Sequence, residues 1–221
     1  MCFSAEASMS AAAVIGAIGY LTSKSTKEKR NILLAIVPFL FALQQFSEGI
    51  IWLTHKYNVS EPALLEFAKY FYLTFAFVVW PIFFPFAICF AEKIYSRKLV
   101  IGFLSLCGCI LSLYFFSHVV GNDVNISIVN HSVQYNMTTP FPVDLWLIIG
   151  VYSAIIFLPC FITSVKLMWS YGILLMVTWS ISEYFYHNTF TSVWCFFSAI
   201  LSAYMYIVIK ANEKSSERER T

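Results

Sequence analysis

Seven apolar stretches, separated by short polar connections, constrain this chain more than any other feature. They run roughly over residues 7–23, 31–54, 67–91, 99–119, 144–165, 167–187 and 190–209. A helix needs about 20 mostly apolar residues to cross about 30 Å of hydrocarbon, and each stretch approaches or meets that length. Charged residues make up 12% of the 221-residue chain, about half of what a water-soluble domain carries. That is too little polar surface to coat a body in water, so lipid is the expected solvent. The expected fold is all-α: a polytopic bundle of seven transmembrane helices forming one domain over residues 1–210. A charged tail at 211–221 is expected to be disordered and cytoplasmic.

The basic residues set the expected orientation. Lys24, Lys27, Lys29 and Arg30 lie between the first two stretches, and Lys93, Arg97 and Lys98 between the third and fourth. Lys166 separates the fifth from the sixth, and Lys210, Lys214, Arg218 and Arg220 follow the seventh. Twelve of the fourteen Lys and Arg residues therefore fall on one side, leaving only Lys56 and Lys69 near the other. Positive charge resists translocation, which places those loops in the cytoplasm and the amino terminus outside. A multi-pass protein of the cell (inner) membrane is expected, with the lipid bilayer as its first partner. The formal net charge of +2 gives no reason to expect a nucleic-acid partner.

Within the spans, Ser8, Ala12 and Gly16 recur every four residues and suit close helix contact. Pro38, Pro81, Pro85 and Pro159 interrupt helices, each removing one backbone hydrogen bond. Trp52, Trp146 and Trp169 fall near span ends, where an interfacial belt would put them. In the longest outer connection, Val124, Ile126 and Ile128 alternate with polar residues before Asn130-His131, and Val133 and Tyr135 follow. This predicts a short β-hairpin between helices four and five.

Ionisable groups inside a span are costly and each calls for a partner or a use. Gln44 and Glu48 share one face of the second helix, with Gln45 beside them. They read either as a ligand, proton or cation site or as cross-links between helices. Glu183 and His187 are also four apart, near the outer end of the sixth helix. They are candidates for proton transfer or for two ligands to a metal ion, against the plainer reading of an ion pair at a helix end. No other cofactor is expected. The seventh helix carries no Lys before Lys210, which excludes a retinal Schiff base, and the chain holds no HxxxH, HExxH, GxSxG or phosphate-loop pattern. Cys2 and Cys195 lie at the same outer level and are either a disulfide or two unrelated thiols.

Met1-Cys2-Phe3-Ser4-Ala5, Gln44-Gln45-Phe46-Ser47-Glu48-Gly49-Ile50-Ile51-Trp52, Trp80-Pro81 and Ser192-Val193-Trp194-Cys195-Phe196-Phe197, in that order, resemble a family of bacterial membrane proteins catalogued as a domain of unknown function. The resemblance spans residue 1 to about residue 205. It implies a prokaryotic inner membrane and draws attention to Cys2, Gln44, Gln45, Glu48, Trp52, Trp194 and Cys195. It also implies a basic residue other than His near position 187, which favours a Glu–cation pair over a metal there. On the expected spans these residues meet in the outer half of the bundle, in a polar pocket open to the non-cytoplasmic side. Binding or transport of a small molecule or ion is the leading functional expectation. The alternatives are an intramembrane enzyme acting on a lipid or small molecule by acid/base or metal-assisted hydrolysis, and a membrane sensor or assembly factor.

Overall fold

A computed structural model describes residues 4–57, 61–137 and 143–220. The chain is mostly helical, and a helix lies over each apolar stretch. Helix α1 covers Ala5–Ser25 and α2 covers Ile32–Lys56. Then follow α3 (Pro62–Thr74), a widened π turn at Phe75–Val79, and α4 (Trp80–Ala91), which together form one long rod. Helices α5 (Tyr95–Val120), α6 (Leu145–Ile162), α7 (Met168–Tyr186), α8 (Phe190–Ser202) and α9 (Met205–Arg220) complete the bundle. Among the described residues, five helical runs are long and apolar enough to cross a membrane, namely Ala5–Ser25, Lys29–Lys56, Pro62–Ala91, Tyr95–Val120 and Met168–Arg218. Trp146–Ile162 is a shorter apolar helix. The last long run is broken by a tight turn at His187–Thr189, across which α7 and α8 pack against each other.

Helix α2 is the hub, touching α1, α3, α4, α8 and α9. This explains Trp52, which the sequence places in an interfacial belt. It is 8% exposed and packs in the core with Ile51, Tyr72 and Phe196, on the inward side of α2, whose outward stripe is Phe39, Leu43 and Phe46. Trp146 and Trp169, on peripheral helices, are exposed as the belt reading expects. Helix α1 lies along α2 through a buried stripe of Ala5, Ser8, Ala12, Ile15 and Gly19. The expected small-residue contact holds at Ser8, Ala12 and Gly16, where a Cβ would meet Ala42 of α2 at 3.5 Å, and continues to Gly19. A Cβ at Gly19 would stand 2.8 Å from the Phe39 nitrogen, so only a hydrogen fits there.

The π turn and Pro81 belong together. Pro81 has no N–H, and the wider turn before it leaves carbonyls that the helix ladder does not use in the ordinary way. Side chains from neighbouring helices take them up: the Tyr152 hydroxyl donates to the Ala76 carbonyl at 2.9 Å, and Ser112 Oγ donates to the Val78 carbonyl at 2.9 Å. Both bonds tie the long rod to α6 and α5.

Strands β1 (Val124–Val129) and β2 (Ser132–Met137) form an antiparallel hairpin, with Val129 opposite Ser132 and Val124 opposite Met137. Asn130 and His131 take φ of 49° and 58°, the two positive values that a two-residue type I′ turn requires. The predicted hairpin and its turn residues are both present. Tyr135 stacks on Tyr72 at 5.1 Å, and Lys69 Nζ donates to the Val124 carbonyl at 2.8 Å, so the hairpin is seated on α3.

At the opposite end, two carboxylates fasten the turns. Glu92 accepts from the Ile94 N–H at 2.7 Å, Thr163 Oγ1 at 2.8 Å, and the Ser164 N–H and Oγ, each at 2.6 Å. Burial works against charge on Glu92. The Ser164 hydroxyl, the Ile94 and Ser164 N–H groups and the Thr163 hydroxyl outweigh it, holding the carboxyl below its ordinary value. Glu213 accepts from the N–H groups of Lys27 and Glu28 at 3.2 and 3.1 Å, and from Asn31 Nδ2 at 3.3 Å. Here sequence and structure differ. The tail expected to be disordered continues α9 through Arg220, because Glu213 caps the turn between α1 and α2 and Asn212 pairs with the Lys166 backbone.

Candidate functional site

The candidate residues fall into two adjoining places. The first is a cavity of about 710 Å³ bounded by the π turn, α5, α6, α7, α8 and β2. Its wall is aromatic and aliphatic. Trp179 meets Phe190 edge to face at 5.8 Å, Phe190 stacks on Trp194 at 5.6 Å, and Trp194 meets Tyr152 edge to face at 5.9 Å. Ala76 and Phe77 of the π turn and Phe115 of α5 close the far side. The Tyr152 bond to the Ala76 carbonyl thus helps shape this space. Polar groups reach the cavity from Asp144, Glu183 and His187, and from Tyr135 and Thr191. Asp144 Oδ1 caps α6 by accepting from the Leu147 N–H at 3.1 Å. His187 Nδ1 lies 2.7 Å from Glu183 Oε1, as their four-residue spacing predicts, and the imidazole is largely exposed.

The second place lies behind Cys195 and is fully buried. Gln44, Gln45 and Glu48 of α2 and Ser192 of α8 have no solvent exposure. Trp80 Nε1 donates to Gln44 Oε1 at 2.7 Å, and Ser192 Oγ donates to Glu48 Oε1. The Gln45 amide stands beside the Glu48 carboxyl, yet neither its Nε2 nor its Oε1 completes a hydrogen bond. Glu48 Oε2, Gln44 Nε2, Trp52 Nε1 and Trp194 Nε1 are likewise buried without a partner. Native interiors leave few such atoms, and a concentration of them marks a place for water, an ion or a ligand.

Cys195 joins the two places. It lines the large cavity, and its thiol lies beside the Tyr72 hydroxyl and the Gln44 amide. It also borders a small void of about 30 Å³ whose wall is mostly aromatic and aliphatic, among them Phe41, Trp80, Phe84 and Trp194, with Ser198 as a polar member. Tyr152 and Trp194 border both spaces.

The expected single polar pocket is therefore divided. Glu183, His187, Trp194 and Cys195 meet at the cavity, whereas Gln44, Gln45 and Glu48 lie deeper and do not line it. Trp52 packs in the core beyond them, and Cys2 lies outside the described residues. Tyr72, Tyr135, Tyr152 and Ser198 join the site without any sequence signal, since nothing in their spacing sets them apart among thirteen tyrosines and many serines. Ser192 and Trp80 stand inside the stretches that carry the family resemblance, which was the available clue. For metal binding, among the described residues no three His, Cys, Asp or Glu side chains gather.

Five helical runs long and apolar enough to cross a membrane thus stand around a buried polar centre and an adjoining cavity. The chain belongs to a family described as "Family of unknown function (DUF6629)", whose profile matches residues 1–220. No curated protein and no solved structure matches it.

Proposed function

We propose that this protein crosses the membrane seven times, amino terminus outside, and binds or transports a small amphipathic molecule through the cavity at its outer half. On this reading α7 and α8 with α9 are separate crossings, and α6 is the short one. The loops rich in Lys and Arg, together with the Glu92 and Glu213 clamps, lie in the cytoplasm of a cell whose inner membrane holds the chain. The observation that carries the proposal is the 710 Å³ cavity, a volume typical of small-molecule sites. Its aromatic wall suits an apolar body. Its rim of Asp144, Glu183 and His187 suits a head group that carries positive charge or donates hydrogen bonds. We rank this ahead of an intramembrane hydrolase, because the Glu183–His187 pair stands with a largely exposed imidazole beside a mostly aromatic cavity, and ahead of a sensor or assembly role.

The test places a cysteine at Ser153, which lines the cavity, in a chain whose native cysteines are replaced. A membrane-impermeant methanethiosulfonate applied to intact cells is expected to label Ser153→Cys. Octyltrimethylammonium, matching wall and rim, is expected to slow labelling saturably, and Glu183→Gln to weaken that protection. Labelling only from the cytoplasmic side would refute the orientation. Labelling that octyltrimethylammonium leaves unchanged would refute a ligand site of this chemistry.

A further inference from the structure

The buried centre behind Cys195 carries a separate inference. Glu48 is wholly buried at the junction of α2 and α8, and among the described residues no cationic side chain interacts with it. Its ionisable neighbours among those residues are Tyr72 from α3, Tyr135 from β2 and Cys195 from α8, none of which supplies positive charge. A carboxylate held in a low-dielectric interior must be neutralised, by a proton or by a bound cation.

The groups around it are those a hard cation takes. Glu48 offers both carboxylate oxygens, one of them unpartnered, and Gln45 offers an amide whose atoms are both unpartnered and fully buried. Ser192 donates its hydroxyl hydrogen to Glu48 Oε1, which leaves the lone pairs of Oγ free. Carboxylate, amide and hydroxyl oxygens are ligands of hard cations, and among the described residues no three His, Cys, Asp or Glu side chains gather as a softer metal would need. One carboxylate balances one positive charge. A divalent ion would leave an unpaired net charge buried, which a low-dielectric interior disfavours.

We propose that Glu48, Gln45 and Ser192 form a binding site for a single monovalent alkali cation of sodium size, which exchanges with a proton on Glu48. The ion reaches it from the outer cavity past Cys195. The site depends on the membrane reading above but not on what occupies the cavity.

Thermal unfolding of the full-length protein in detergent, followed by tryptophan fluorescence, tests this. Sodium is exchanged for N-methylglucamine at constant ionic strength. A ligand bound only by the folded state stabilises it by mass action, so the unfolding temperature is expected to rise with sodium and to keep rising logarithmically past half-saturation. Glu48→Gln is expected to abolish the response, and Ser192→Ala to move its midpoint to at least about tenfold higher sodium, about 1.4 kcal/mol. Glu183→Gln, in the outer cavity, is expected to leave the midpoint in place. Equal unfolding temperatures in sodium and N-methylglucamine would overturn the proposal. So would a Ser192→Ala midpoint equal to that of the native chain, which decides the matter even if Glu48→Gln does not fold. Labelling of Ser153→Cys is independent of either result, so failure of the ion site and failure of the cavity reading are told apart.

Discussion

Replacing Gly108 by alanine tests how closely α5 approaches α4. A Cβ built on Gly108 lies 2.0 Å from the Pro81 carbonyl oxygen and 2.9 Å from its carbon. A carbon and a carbonyl oxygen rest at about 3.3 Å even in close Cα–H···O contacts, so the backbones must part by about 1.3 Å. No side chain can rotate away, because the obstacle is main chain. Helix α4 is also held from behind by packing on α2 and by the Trp80–Gln44 hydrogen bond. Overpacking of this kind costs about 1–3 kcal/mol, and a backbone clash belongs at the upper end. Alanine recovers up to about 1 kcal/mol of helix propensity, leaving a net loss of about 2 kcal/mol. For a chain of this size that lowers the unfolding temperature by about 4–8 °C. Gly150 on α6 supplies the control, since a Cβ there meets nothing within 4 Å. Gly150→Ala is expected to be neutral or to stabilise by up to about 1 kcal/mol. Thermal unfolding of both variants in detergent reads the contrast. If Gly108→Ala unfolds at or above the native temperature, the α4–α5 crossing is not as close as argued.

Two further outcomes follow from the ends of the bundle. Glu92→Gln removes the charge that gathers four donors at the α4–α5 and α6–α7 turns, and is expected to cost about 3 kcal/mol at neutral pH, measured by chemical or thermal unfolding. Because the folded carboxyl is held below its ordinary value near 4.5, its contribution is fully present above that value and is lost as pH falls through the lowered one. The native chain should therefore lose more stability than Glu92→Gln on acidification below about pH 4.5, and parallel acid profiles would contradict the clamp. His131→Gly, at a position with φ of 58°, relieves left-handed strain in the hairpin turn. It is expected to raise stability by about 0.5–1 kcal/mol, seen as slower amide exchange at Val129 and Ser132, the hydrogen-bonded pair that closes the turn, and faster exchange there would count against the I′ turn.

The sequence by itself determined every feature whose cause is local. The apolar runs became helices, five of them long and apolar enough to cross a membrane, since a backbone kept from water must bond to itself. Alternation around Asn130-His131 became a hairpin, and four-residue spacing brought His187 to Glu183. The family resemblance pointed to the right segments, because α2 and α8 do meet at Glu48 and Ser192.

Only the tertiary structure decided which of those segments share a space. Helical spacing fixes neighbours on one helix, but the rotation and depth of one helix against another depend on contacts far apart in the chain. Gln44 and Glu48 therefore looked like walls of the same pocket as Glu183 until packing put Cys195 between them. Trp52 looked interfacial until α2 proved to be the central helix. The tail looked disordered by composition, yet two side chains, Asn212 and Glu213, tie it to turns that lie some 46 and 180 residues away in sequence. Hydrogen bonds of that kind leave no periodicity to read. They exist because buried or half-buried donors at helix ends must find an acceptor, and the fold brought these within reach.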